Sequence, residues 1–548
     1  MMAPDGSSSG ICVDRHPAHP ANGSGRGRVA TRREDPLADA SNAAMTLMNA
    51  PLRFCRDHRT SRASSVRRRG TNHPLWLIGI LLCIFIAFQC QSTRYFGPLE
   101  LAATSGGFLL SIALWVRYSR HRSFDFLDPI HLVMCILLVG FCGVLVYDPS
   151  VHMTVFAETS RALTVSIVAT LAFALGYTAV TSVFGSYTPP QRLSLLRILH
   201  RVPRPEAPAL LLGLWLLTFF WRLFYSLEHG YGTVFESPDT ARANAANLIQ
   251  TVGTLGRYFI FSALIIWLSR SRRFGRIQIW LALICLGLEV WITIASGWKS
   301  SPVLFAVGLL LVARARASCG KRIGVGTGLV AASCLLLILI VFYALDTYRS
   351  RHEDLRFSIA TLAATSGEAD TASIQRSLDR FVLRIGYGGF LADVIGVVDS
   401  GVLDRQHGAT LWPGVLWFIP RAIWPTKPKL SIGGWYAVTV LGWHEGPEAA
   451  VTVPGDFYLN FGIAGVFGGM LAYGLLLRLL YDRLVGNGRT VLGQCLFVPI
   501  FLTFALTFEQ NVSVIIGGAC QLVCALAAVL LCVTTRPLGN SLSGRRIS

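Results

Sequence analysis

The feature that most constrains this chain is a recurrence of apolar runs, each long enough as a helix to cross the ~30 Å hydrocarbon core of a bilayer. With no water to satisfy its polar groups there, such a backbone must close its hydrogen bonds internally, as helices do. The runs fall near 74–90, 98–116, 128–147, 162–184, 207–227, 252–269, 277–295, 300–316, 323–344, 459–480, 490–508 and 513–533. They predict an all-α polytopic membrane protein with about twelve transmembrane helices. Composition agrees: of 548 residues, 53% are hydrophobic and 14% charged, against about 25% charged in a soluble domain.

The connecting segments set an orientation. Arg117, Arg120 and Arg122 follow the second run, and Arg192, Arg197, Arg201 and Arg204 the fourth. Arg270, Arg272, Arg273 and Arg276 follow the sixth, and Arg314, Arg316, Lys321 and Arg322 the eighth. The intervening loops carry Asp148, Glu158, Glu228, Glu236 and Asp239 with few bases. Basic loops stay in the cytoplasm, so both termini are expected there. The resulting organisation is a disordered basic cytoplasmic tail (1–73), helices one to nine (74–344) and a long extracytoplasmic loop (345–456). Helices ten to twelve (457–535) and a short cytoplasmic tail (536–548) complete it. The first helix reads as uncleaved, and Met1 and Met45 are both candidate starts.

The net charge of +19 is that of cytoplasmic loops. No basic surface interleaved with stacking aromatics accompanies it, so no nucleic-acid partner is expected. Most cysteines lie inside apolar runs, where cysteine acts as a small hydrophobe. Cys520 and Cys524 share a helix face without a His beside them, so neither a zinc site nor a disulfide framework is expected. No cofactor is implied.

The long outer loop is too apolar for open water. Residues 378–398, LDRFVLRIGYGGFLADVIGVV, have helical apolar spacing, and 411–425 is apolar and aromatic. Such segments lie on the membrane interface or re-enter the bilayer. Bases on the outer side run against the positive-inside bias and so need a reason. In FIPRAIWPTKPKLSIGGW (418–435), Arg421 follows Pro420, Lys427 stands nearby, and Trp424 and Trp435 are interfacial anchors. Arg421 and Lys427 would hold a lipid-linked diphosphate or snorkel to headgroups. Arg380 and Arg384 share one helix face and would bind the same ligand or pair with Asp379 or Asp393. Lys299, in the tight turn ASGWKSSP, and Arg242 are further outer bases. Arg222, in FFWRLFYS, is an ionisable residue near a helix end, a site hypothesis or a snorkelling anchor.

A second cluster is TVPGDFYLNFGIAGVFGG (452–469), where glycines allow close backbone approach. Asp456 is either the N-cap of the following helix or a base that takes a proton from a sugar hydroxyl. Tyr458 and Asn460 would hydrogen-bond sugars or anchor the segment, and His444 and Glu445 are weaker candidate bases.

PRAIWPTKP (420–428), followed by GDFYLNFGIAGV (455–466), resembles the pattern of bacterial O-antigen and related oligosaccharide repeat-unit polymerases, and LDPIHLV (127–133) is similar too. The resemblance implies a GT-C-like fold and transfer of a glycan from a polyprenyl-diphosphate-linked donor to a lipid-linked acceptor. The reaction would occur at the outer face of the bacterial inner membrane. Arg421 and Asp456 would be catalytic, the family pattern having Glu more often at position 456. Lys427, Arg380, Arg384, Lys299, Arg242, Arg222, Tyr458 and Asn460 would bind the diphosphate or glycan. Membrane lipids, a flippase and a chain-length regulator would be partners. The first outer loop, QSTRYFGPLE, lacks the carboxylate pair of metal-dependent GT-C transferases, so a metal-independent reaction is expected. Two rivals remain. An O-antigen ligase leans on a loop histidine, and here His352, His407 and His444 lack a motif. A lipid-linked glycan transporter would show interrupted helices and charges in its core.

Overall fold

The structure, a computed structural model, describes residues 98–121, 127–143, 158–183, 203–229, 240–270, 276–295, 300–317, 386–419, 423, 424, 426–442, 449–486 and 490–533. All lie in one compact unit, Asn72–Ser548. The apolar runs at 74–90 and 323–344 and the two terminal tails fall outside the described residues, as do Arg380, Arg384, Lys299 and Arg421.

Thirteen α-helices occur among the described residues. The first seven are α1 (Pro98–His121), α2 (Pro129–Cys135), α3 (Thr159–Val183), α4 (Ala207–His229), α5 (Thr240–Arg270), α6 (Arg276–Ala295) and α7 (Ser300–Ala317). The long segment between the ninth and tenth apolar runs supplies α8 (Tyr387–Asp399), α9 (Trp412–Val415) and α10 (Gly433–Thr439). The last three are α11 (Val453–Tyr481), α12 (Val491–Leu506) and α13 (Val512–Cys532). Two widen into π turns: α2 continues through Ile136–Gly143, and α11 through Asp482–Gly486. Every apolar run that falls on described residues is therefore helical.

Among the described residues, five stretches are long and apolar enough to cross a membrane: Thr159–Ala179, Ala207–Phe224, Thr251–Ser269, Val453–Val485 and Val512–Cys532. This is the architecture of an all-α multi-pass membrane protein. Within it the helices differ in place. The apolar window of α3 is 67% buried and that of α13 only 28%, so α3 is central and α13 peripheral. On α4 and α6, Leu217, Phe224, Trp280 and Ile284 point outward, as apolar side chains do when lipid is the solvent.

The centre is the pair α3 and α11, the most extensive helix contact among the described elements. Two glycines set its depth. A Cβ on Gly176 would stand 2.0 Å from the Leu471 carbonyl oxygen, and one on Gly474 would stand 2.4 Å from that of Phe173. Backbone thus lies on backbone, the packing that small residues permit between membrane helices. The apolar segment containing α8 is not laid on the surface. It is buried against α3, α11 and the π turn after α2, so protein covers the apolar faces that the sequence left open to lipid.

Candidate functional site

α11 begins earlier than its apolar run. Thr452, at φ 64°, is its N-cap and accepts from Gly455 N–H at 3.1 Å, with Pro454 in the first turn. Proline is tolerated there because that position needs no intrahelical donor. Asp456, the cap suggested by sequence, lies inside the helix. Its carboxylate reaches a different element: Oδ2 accepts from the backbone N–H of Val512 at 2.9 Å, at the start of α13. A helix N-terminus favours a negative charge, so Asp456 fastens α13 to α11. Its Oδ1 accepts from the Thr410 hydroxyl and lies 3.1 Å from Asn460 Nδ2. The residue is 0% exposed.

Two turns later the helix breaks. Gly462 has φ 64° and ψ −153°, a conformation essentially confined to glycine. The break exposes carbonyls that an intact helix would use internally, and the segment before α9 satisfies them. Gln406 N–H donates to Leu459 O at 3.0 Å and His407 N–H to Asn460 O at 3.3 Å. Asn460 Oδ1 accepts from Gly408 N–H at 2.7 Å. His407 and Gly408 both adopt positive φ to follow this path, and the Arg405 guanidinium covers the bare α-carbon of Gly462. The segment at 406–408 is thereby threaded onto the broken helix.

Beside the break is a group of polar side chains that opens to solvent at Arg161. Tyr458, on α11, donates its hydroxyl hydrogen between Asp399 Oδ1 at 2.9 Å and Oδ2 at 3.0 Å. Arg161, near the start of α3, pairs with Asp399 Oδ2 at 2.9 Å. The Arg161 side chain is 58% exposed and that of Asp399 17%. Tyr458 thus reaches a carboxylate, and Asn460 reaches Asp456 and Thr410.

Lys427 is placed differently. Its ammonium donates to Trp417 O at 3.2 Å and Ile419 O at 3.0 Å, satisfying carbonyls at the end of the α9 turn. It lines a cleft of about 390 Å³ with Trp417, Phe418, Ile419, Pro428, Leu430 and Gln521. The Phe418 and Ile423 side chains project outward nearby. Ser513 holds this segment to α13, donating to Thr410 O and accepting from Gly414 N–H at 3.1 Å. On α10, burial pushes the Tyr436 phenol well above its ordinary range, with Asp393 adding to the shift.

Arg222 lies away from that cluster, buried between α4, α5 and α6. Its guanidinium grips Glu289 with two hydrogen bonds, at 2.9 and 2.6 Å, while Trp215 Nε1–H donates to the same carboxylate at 2.8 Å. Arg242 lies on α5. The positions of Arg421, Arg380, Arg384 and Lys299 relative to the site are not described.

Comparison with known proteins finds no family model, no curated protein and no solved structure that matches the chain. Among the described residues no three His, Cys, Asp or Glu side chains come together as a metal site would require.

Three features were missed by sequence reasoning. Asp399 ends an apolar helix, where its charge opposes the helix dipole, and that conflict was a readable signal. Glu289 and Arg478 are ionisable residues inside apolar runs, a signal of the same kind. Arg478, near the far end of α11, contacts the Tyr118 hydroxyl, which in turn donates to Asp128 at 2.6 Å. Asp128 also accepts from Tyr177 and caps α2 through Ile130 N–H. The LDPIHLV segment therefore builds a tie between α1, α2, α3 and α11.

Proposed function

We propose that the chain polymerises polyprenyl-diphosphate-linked oligosaccharide repeat units into a surface polysaccharide at the outer face of a bacterial inner membrane. The observation that carries this reading is the break of α11 at Gly462, with residues 406–408 bonded onto it, Arg161 open and Asp399 partly open beside it, and the buried Tyr458 hydroxyl bonded to Asp399. An apolar bundle that leaves a carboxylate and a guanidinium open to solvent at one end suits a sugar substrate carried on a lipid. The cleft beside Lys427 adds to the case, because it sets an ammonium against aromatic and aliphatic walls, as a charged head on an apolar chain requires.

In this reading about twelve helices span the membrane in a GT-C-like arrangement. Both termini are cytoplasmic, and residues 345–456 form the outer loop. Arg421 and Lys427 stabilise the departing diphosphate without a metal, by fixed charge at the developing anion. Flippase and chain-length regulator act before and beside the enzyme. The test is incubation of purified protein with radiolabelled lipid-linked repeat units in excess EDTA. A ladder of elongated products is expected, and a substrate returned unextended would refute the reading.

A second reading is favoured by two observations. The interrupted α11 and the buried Arg222–Glu289 pair are features of secondary transporters. The same substrate in proteoliposomes separates the two: movement across the bilayer without elongation would make this chain a lipid-linked glycan transporter.

A further inference from the structure

Two carboxylates stand near the broken end of α11, and their surroundings suit different tasks. Asp456 is wholly enclosed, and its oxygens are taken up by Thr410, Asn460 and the N–H of Val512. No substrate reaches it without dismantling the junction of α11 and α13. Asp399 retains 17% side-chain exposure. Arg161 engages its Oδ2, and Oδ1 holds only a share of the single Tyr458 hydrogen. An ionised carboxylate has about four lone-pair sites, so Oδ1 keeps acceptor capacity toward solvent.

Its position is also costly to the fold. Asp399 is the last residue of α8, where the helix carbonyls gather negative partial charge. A local preference broken at a position that solvent still reaches is characteristic of working residues. Tyr458 and Arg161 come from α11 and α3, the two most tightly packed helices, so the carboxylate is held on a rigid base.

We infer that Asp399 is the general base of the proposed glycan transfer, an inference that rests on the polymerase reading above. The acceptor sugar hydroxyl lies against Asp399 Oδ1. Its oxygen forms a bond to the anomeric carbon of the donor as the bond from that carbon to the diphosphate oxygen breaks. The diphosphate leaves with the bonding pair. The hydroxyl proton passes to Asp399 and from there to water. Tyr458 and Arg161 are positioning residues that fix the carboxylate.

The test compares elongation per folded molecule, in full-length protein, for wild type, Asp399→Asn, Arg161→Gln and Asp399→Ala with and without formate. Loss of a general base costs about 10²–10⁴ in rate, so Asp399→Asn is expected to fall at least 100-fold. Arg161→Gln, which removes the ion pair but leaves the base, stays within about tenfold because an exposed pair is weak. Formate restores elongation to Asp399→Ala, a response that a structural ion pair cannot give. Four results would overturn the inference while the polymerase reading stands: wild-type rates in Asp399→Asn, failure of Asp399→Asn to fold, equal losses in Asp399→Asn and Arg161→Gln, or no response to formate. A wild-type protein that does not elongate at all would remove both the reading and the inference.

Discussion

At its C-terminal end α11 is closed. Arg478, fully buried, lies over the rings of Tyr118, Tyr177 and Tyr481 with its carbon 5.3, 5.4 and 5.6 Å from their centroids. Asp128 stands 3.9 Å from its Nη1, and Asp482 forms a 2.8 Å ion pair with its Nε. At the N-terminal end the same helix is interrupted, its carbonyls are handed to another segment, and the Arg161–Asp399 pair beside it reaches solvent. The difference divides the labour of one helix. A charge surrounded by aromatic faces and acids holds helices together, whereas backbone that departs from regular geometry where water enters is free to meet a ligand. Both ends bear on the same partner, α3, through Tyr177 at one end and Arg161 at the other.

The largest expected effect comes from disturbing what both ends share. Gly474→Val places side-chain atoms on the Phe173 carbonyl. The clash is with backbone and not a movable side chain, so the cost should exceed the ~3 kcal/mol upper range of ordinary overpacking. No monodisperse protein should be recovered in fluorescence-detected size exclusion. Recovery at the wild-type level would mean that α3 and α11 are not in backbone contact.

Next comes the closed end. Arg478→Met keeps length and removes charge, leaving Asp128 buried without its cation, which costs about 3–5 kcal/mol. Adding Asp128→Asn should recover much of that loss, since the uncompensated charge disappears. Thermal unfolding of the single and double variants in detergent measures the coupling. Simple additivity would show that the two residues do not act as a unit.

A smaller effect belongs to the junction at the open end. Asp456→Asn keeps the shape but removes the anionic acceptor of Val512 N–H, a loss of about 1–3 kcal/mol. The variant should fold, with faster amide exchange at the start of α13. Unchanged exchange there would separate Asp456 from α13.

The elements of this comparison were unequally legible. Among the described residues, helices were plain wherever an apolar run existed, because bilayer thickness dictates their length. Their polar extensions were not: α5 begins at Thr240, well before its run, because TARANAANLIQ is Ala-rich and helix-favouring. α11 begins at Val453 because Thr452 and Pro454 form a start signal that the nearby Asp456 obscured. The candidate site was partly legible. Tyr458, Asn460 and Asp456 were selected from one short motif; Asn460 and Asp456 share one buried network, whereas Tyr458 turns to Asp399. Thr410, Arg161 and Asp399 were not selected, since they come from segments distant in sequence: the segment before α9 carries Thr410 to Asp456, and α3 and α8 carry Arg161 and Asp399 to Tyr458. Buried pairs such as Arg222 with Glu289 escape for the same reason. Each member was visible as a charge in an apolar run, but its partner was not.

The most direct test of the division between the two ends is a paired measurement of elongation per folded molecule. Gly462→Ala alters the open end, forcing a conformation that costs a residue with Cβ about 1–3 kcal/mol. The double variant Arg478→Met with Asp128→Asn alters only the closed end. The account predicts at least a tenfold loss of turnover in Gly462→Ala, about 1.4 kcal/mol in the barrier, with wild-type turnover in folded double variant. Turnover lost in the double variant and kept in Gly462→Ala would contradict it.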